Sequence, residues 1–285
     1  MKLVLALPVA WLLLLLAAPL TIVVLIAFAQ PADGVPPYSL SFALENLWQV
    51  AIDPLYRDAL LRSVLVAGVS TLICLAMGFP MALAIARAAP KWQTPALLAV
   101  MLPFWTGFLM RINAWIGLLA DDGSIVRILG TGRLLYTDTA MYIGIVYTYL
   151  PFMVLPLYAR LSRLDPALME AAADLGASPW RVFLRVILPL SLPGVGAGSA
   201  LVFIPAIGEY VIPALLGGPR AQLIGKVLWE EFFANRDWPT ASAVAVWLLV
   251  VLVAVPALFA ACVRSIGSEV RRRKPGRRIV YVPPG

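Results

Sequence analysis

Side chains able to do chemistry are few in this sequence, and they fall in separate places. Glu170 and Asp174 stand four apart in the stretch Leu164-Asp165-Pro166-Ala167-Leu168-Met169-Glu170-Ala171-Ala172-Ala173-Asp174-Leu175-Gly176-Ala177-Ser178-Pro179-Trp180-Arg181, so on a helix they share a face. Glu209 closes an uncharged run between Pro205 and Pro213. An ionisable residue there is costly against lipid and is a functional candidate, able to offset a passing cation; the alternatives are an ion pair with a base such as Arg111, or a place in water outside the bilayer. Phe104, Trp105, Tyr147 and Tyr210 offer ring faces that attract cations and pack on methylenes. The chain has no His, which removes the commonest general base and metal ligand. Cys74 and Cys262 lie inside apolar runs without CxxC spacing, so a disulfide framework, a zinc site and a redox pair have no support. Asp121-Asp122-Gly123 lacks the remaining ligands of a calcium loop and reads as a solvated turn or part of a docking surface. Gly217-Gly218 followed by Gly225-Lys226 imitates a phosphate-binding loop. However, six residues separate Gly218 from Gly225, and Val227 stands where a Ser or Thr should bind magnesium, so no nucleotide site is present.

The elements that must carry these residues are membrane spans. Of the 285 residues, 62% are hydrophobic and 13% charged, with a mean hydropathy of +0.91, whereas a soluble domain carries about 25% charged residues. Uncharged runs cover residues 3–32, 63–86, 92–110, 139–159, 186–208 and 238–263, each near the roughly 20 residues that a helix needs to cross the hydrocarbon. They predict a single all-α integral membrane domain with six spans near 3–30, 62–87, 92–111, 138–160, 185–209 and 238–264. The third is the shortest. Lys2 and the Ala27-Phe28-Ala29 tripeptide imitate a secretory signal, but the apolar run is about twice the 7 to 15 residues of a signal core, so it reads as an uncleaved first span.

Orientation follows from the basic residues of short loops, which stay in the cytoplasm. One assignment places 14 of the 22 Lys and Arg inside, among them Arg87, Lys91, Arg160, Arg163, Arg181, Arg185 and the row from Arg271 to Lys274. Both termini are then expected in the cytoplasm, with the loop at 161–185 and a basic tail at 265–285 on that side. The tail reads as an anchor at lipid headgroups, and no nucleic-acid role is expected. Pro80, Pro103, Pro151, Pro156, Pro189, Pro193, Pro205, Pro213 and Pro256 interrupt the apolar runs; the carbonyls they free must be satisfied by neighbours or by water in a cavity. A bundle enclosing a route is expected, although any one kink can serve packing alone.

The loop at 161–185 has the grammar of two short helices. Asp165 is a good N-cap with Pro166 at the first helical position, Gly176 can take a left-handed stop, and Ser178-Pro179 repeats the start signal. Leu164, Leu168, Ala171 or Ala172, and Leu175 should share an apolar face. Interfacial helices on lipid have this form too, but with a basic polar face; the acidic Glu170 and Asp174 point to a protein partner. The order Glu170-Ala171-Ala172, three residues, Gly176, nine residues, then Val186-Ile187-Leu188-Pro189 resembles the EAA motif of the membrane subunits of binding-protein-dependent ABC importers, with Val186 the only departure. The resemblance implies a type I importer permease fold. It also implies that Glu170, Ala171, Ala172, Asp174 and Gly176 belong to a coupling helix seated in a groove of a cytoplasmic ATPase.

A narrower likeness runs from the second span to the sixth. Leu102-Pro103-Phe104-Trp105-Thr106-Gly107-Phe108-Leu109-Met110-Arg111, Tyr149-Leu150-Pro151-Phe152, Ile204-Pro205-Ala206-Ile207-Gly208-Glu209-Tyr210-Val211-Ile212-Pro213 and Glu231-Phe232-Phe233-Ala234-Asn235-Arg236-Asp237-Trp238-Pro239 resemble the putrescine/spermidine importer permeases, most nearly the putrescine type. Permeases for iron, sulfate and thiamine share the architecture. The resemblance implies a second permease subunit, two ATPase copies that carry the ATP and magnesium, a periplasmic solute-binding protein, a small cationic substrate and a bacterial inner-membrane location. The chain itself would bind no cofactor and catalyse no reaction. Two other classes stay open: a secondary transporter, although no acid lies inside the six uncharged runs, and an intramembrane enzyme, for which the absence of His leaves only Ser, Thr, Asp and Glu.

Overall fold

The computed structural model describes residues 2–32, 34–130, 132–219 and 221–272, with side chains described for those between 8 and 257. Most of the expected basic tail and the Cys262 side chain lie outside that set. The chain opens with α1 (Lys2–Ala27), an antiparallel pair β1 (Ala29–Pro31) and β2 (Tyr38–Leu40) with Ala29 opposite Leu40, then α2 (Glu45–Ile52) and α3 (Pro54–Arg87). Next come α4 (Pro90–Met101) with a 3₁₀ turn at Leu102–Trp105, α5 (Phe108–Leu119), α6 (Ser124–Leu129) and α7 (Asp138–Leu161). The second half holds α8 (Ala167–Asp174), α9 (Pro179–Val182) with a π turn at Phe183–Ile187, α10 (Leu188–Ile207), α11 (Val211–Leu216), α12 (Ile224–Trp229) with a π turn at Glu230–Ala234, and α13 (Trp238–Arg272).

Local chemistry fixes several of these ends. Asp53 Oδ1 accepts from Leu55 N at 2.8 Å and Pro54 occupies the first helical position, which starts α3. Thr137 Oγ1 accepts from Ala140 N at 3.2 Å and starts α7. Pro189 has no N–H to return to the preceding turn, and there the ladder widens so that Leu188 N–H bonds Phe183 O.

The core is the triangle of α3, α7 and α10. Met153 of α7 is fully buried at its centre. A Cβ on Gly78 of α3 would come within 2.9 Å of Met153 Cγ, and one on Gly198 of α10 within 2.7 Å of its Sδ, so absent side chains let the three backbones close up, as membrane bundles commonly require. A second cluster joins Val50 and Ala59 to Ile224, Val227, Ala243 and Val244. In contrast, α1 rests on α13 and leaves its described side chains from Pro8 to Leu20 exposed, as a helix facing lipid tails does.

Five described helices are long and apolar enough to cross a bilayer. In place of the single third span expected at 92–111 there is a pair of helical segments, Pro90–Trp105 and Phe108–Leu129, meeting at 89°, which is a broken span or a re-entrant loop. Pro103 removes a ladder donor, and Thr106 and Gly107 follow with extended ψ of 145° and 140°, so the helical path cannot continue through them. The first apolar run also ends early as a helix, at Ala27 rather than near residue 30. Asn46 Nδ2 captures the carbonyls of Ala29 at 2.6 Å and Ala27 at 3.4 Å, diverting the chain into the short β ribbon, a small departure from an all-helical chain.

Candidate functional site

The expected pair of short helices is present between α7 and α10. Asp165 Oδ1 accepts from Ala167 N at 3.0 Å at the start of α8, Gly176 has φ +77° at its exit, and Pro179 opens α9. The left-handed φ is one that a β-branched side chain tolerates poorly. The apolar face divides, contrary to the single stripe expected. Leu164, Met169 and Ala172 pack on the core, with Arg87 Nη2 donating to Met169 Sδ at 2.9 Å. Leu168, Ala171 and Leu175 face outward beside the exposed Glu170 and Asp174, and Leu175 is 89% exposed. Neighbouring three- and four-residue steps place these groups on one open face, so α8 presents a mixed apolar and acidic surface while its other side is anchored.

Glu209 is buried, with 8% of its surface exposed, at the junction of α10 and α11. Its Oε2 accepts from the Tyr149 hydroxyl at 2.5 Å, and its Oε1 accepts from Val211 N at 3.0 Å and Ile212 N at 3.4 Å. The carboxylate therefore ties α7 to α10 and satisfies the opening N–H groups of α11, as anions at helix N-termini do. No ion pair with Arg111 forms among the described residues.

Arg111 lies instead at the wall of an open-sided cavity of about 390 Å³ lined by Thr106, Met110, Arg111, Ala114, Trp115, Leu118 and Tyr147. The Trp115 and Tyr147 rings meet edge to face at 5.3 Å. The Arg111 guanidinium carbon sits 5.4 Å from the Phe104 ring centre and 5.8 Å from that of Phe108. Phe104 meets Phe152 at 5.1 Å, and Phe152 meets Tyr149 at 6.2 Å, so a chain of rings runs from the cavity to the Glu209 hydrogen bond. The fold thus brings Phe104, Tyr147 and Glu209 into one connected region. Trp105 projects outward, 75% exposed, and Tyr210, exposed in part, stacks on Trp229 at 6.0 Å.

The residues that sequence reasoning underrated are Arg111, Trp115 and Tyr149. A signal for Arg111 existed, because uncharged residues run from Trp92 to Met110 before it and from Ile112 to Ala120 after it. A charge so enclosed sits within a crossing rather than at its end. Among the described residues no group of His, Cys, Asp and Glu could hold a metal ion. Cys74 is a free, buried thiol whose sulfur approaches Val146 O at 3.8 Å, and Asp121 and Asp122 form an exposed turn between α5 and α6.

The profile of the binding-protein-dependent transport system inner membrane component family matches residues 1–266. The chain belongs to this family. This inner membrane component is 38% identical over 258 residues to the spermidine/putrescine transport system permease protein PotB of Haemophilus influenzae, covering 88% of this chain and 90% of that protein. It is 37% identical over 251 residues to PotB of Escherichia coli, covering 86% and 90%. Its fold superposes with a TM-score of 0.71 on a chain of a bacterial ABC transporter that imports the acidic polysaccharide alginate, at 18% identity and covering 93% of this chain and 95% of that one. The architecture is accordingly that of a type I importer permease, a transport subunit of the inner membrane.

Proposed function

We propose that this chain is the permease subunit of an ATP-driven polyamine importer, carrying putrescine or spermidine and forming half of the route. The observation that carries this reading is the 37–38% identity, spread over most of the chain, to spermidine/putrescine permeases. The other half of the route comes from a second permease subunit. A periplasmic solute-binding protein delivers the polyamine, and two cytoplasmic ATPase copies bind ATP and magnesium. Both termini lie in the cytoplasm, which puts α8 and α9 on the ATPase side.

The exposed face of Leu168, Ala171 and Leu175, with Glu170 and Asp174 beside it, is the surface offered to the ATPase. Anchoring of Met169 by Arg87 passes movement of α8 to the end of α3. For the solute, the ring faces of Tyr147 and Trp115 provide cation–π contact, and Trp105 and Tyr210 remain exposed where a second subunit or a solute can reach them. Glu209 acts by holding α7, α10 and α11 in register, because both of its carboxylate oxygens accept from protein donors.

Expression with the neighbouring transporter subunits in cells lacking polyamine uptake tests the reading. Energy-dependent accumulation of radiolabelled putrescine or spermidine is expected. Accumulation of a different solute, with none of either polyamine, overturns it.

A further inference from the structure

Arg111 is nine-tenths buried, and its Nε and Nη1 have no hydrogen-bond partner among the described residues. Two guanidinium nitrogens without counter-charge or acceptor among the described residues are unfavourable, and two aromatic faces offset only part of that. The open side of the cavity admits an acceptor from outside this chain. Its depth restricts the source. Tyr147, on the cavity wall, is nine residues into α7 from Asp138, about 13 Å along a helix that is itself about 36 Å long. On the topology proposed above, that depth lies between the cytoplasmic side offered to the ATPase and the opposite side offered to the binding protein, and lipid tails offer no acceptor. If the solute is a polyamine, as proposed above, it is a cation and repels Arg111.

We infer that Arg111 is the docking point for a carboxylate of the second permease subunit, which enters the cavity beside Ala114, Trp115 and Tyr147. The ion pair joins the two halves of the route at the 89° bend between Trp105 and Phe108. Paired charges inside membrane proteins face a bundle interior in this way.

The test uses the complete transporter in its membrane. Ala114, exposed on the cavity wall, is replaced by photoreactive p-benzoylphenylalanine, and irradiation is expected to link the two permeases, with the linked peptide carrying an Asp or Glu within about one helical turn. Arg111→Glu should then lower recovery of the assembled complex at least roughly tenfold, as should replacing the mapped carboxylate by Arg; the two changes together should restore most of it. Linking only to lipid or to the binding protein, a linked segment without a carboxylate, or failure of the charge swap overturns the inference. So does linking that vanishes when the solute is saturating, which assigns Arg111 to the solute. Putrescine uptake by the unmodified complex reports separately on the polyamine reading, and linking of the permeases in its absence leaves the docking point standing.

Discussion

The segment at 165–182 and the bend at 102–107 are both proline-marked interruptions of the helical path, yet they are held in opposite ways. In the first, the starts and stops are local, Asp165 with Ala167, the left-handed Gly176 and Pro179 at a helix start, and the side contact of Met169 with Arg87 anchors the segment to the bundle. In the second, the bend has meaning only through distant residues, since it sets Phe104 against Phe152 and Arg111 beside Tyr147. The first is an outward-facing device that a partner can grip without disturbing the bundle. The second is an inward-facing one whose charges depend on what the bundle and its neighbours supply. Changes in the first should therefore uncouple the transporter, and changes around the second should destabilise it.

The largest effect expected at the local device is that of Gly176→Val. No neighbouring atom would obstruct the new side chain, so the whole cost lies in φ +77°, about 1–2 kcal/mol for a residue with a Cβ, which is roughly a tenfold loss of the docking-competent shape. Uptake should fall by about that factor while the thermal midpoint of the permease stays put, and ATPase subunits should bind weakly or hydrolyse without transport. Normal substrate-stimulated hydrolysis and uptake would break the contrast. Glu209→Gln probes the inward region. The amide oxygen can still accept from Val211 N or Ile212 N, but its NH₂ meets the Tyr149 hydroxyl where a carboxylate oxygen did, and charge assistance is lost. About 1–2 kcal/mol of stability should go, read as a lower midpoint for the detergent-solubilised complex, with uptake falling in step with the amount of complex. Lower uptake with unchanged assembly and midpoint would instead return Glu209 to direct contact with the solute.

The same contrast explains what could be read from the sequence. Capping residues, the glycine stop and the acidic pair at Glu170 and Asp174 act within a turn or two of themselves, so their types and spacing announce the short helices. Which side of α8 faces the bundle did not follow, because Met169 is turned inward by Arg87, 82 residues away. Run lengths gave the long helices, since apolar surface and hydrocarbon thickness set them together. The bend was legible only as Pro103; its angle depends on Thr106 and Gly107 adopting extended backbone. The role of Glu209 was hidden for a similar reason. Tyr149, its hydroxyl donor, lies 60 positions earlier on another span, and no periodicity within either helix marks the pair.

The smallest expected effect is the cleanest test of locality. Asp165→Ala removes one acceptor from the start of α8, where the exposed carboxylate accepts from Ala167 N two residues on. Loss of such a cap costs about 1 kcal/mol of helix stability, and an eight-residue helix has little cooperativity with which to resist fraying. The first turn, including Met169 and Glu170, should fray, weakening ATPase binding by roughly fivefold, while the midpoint of the bundle core stays nearly unchanged because α8 meets the bundle mainly through Met169 and Ala172, at the end of α3 rather than at the Met153, Gly78 and Gly198 centre. Asp165→Asn should be close to neutral, since Asn caps as well as Asp. If both variants weaken ATPase binding equally, Asp165 acts through its charge on the partner rather than as a cap. If Asp165→Ala lowers the core midpoint as well, α8 is part of the bundle's cooperative unit, and the contrast between an independent outer device and an interdependent inner one fails.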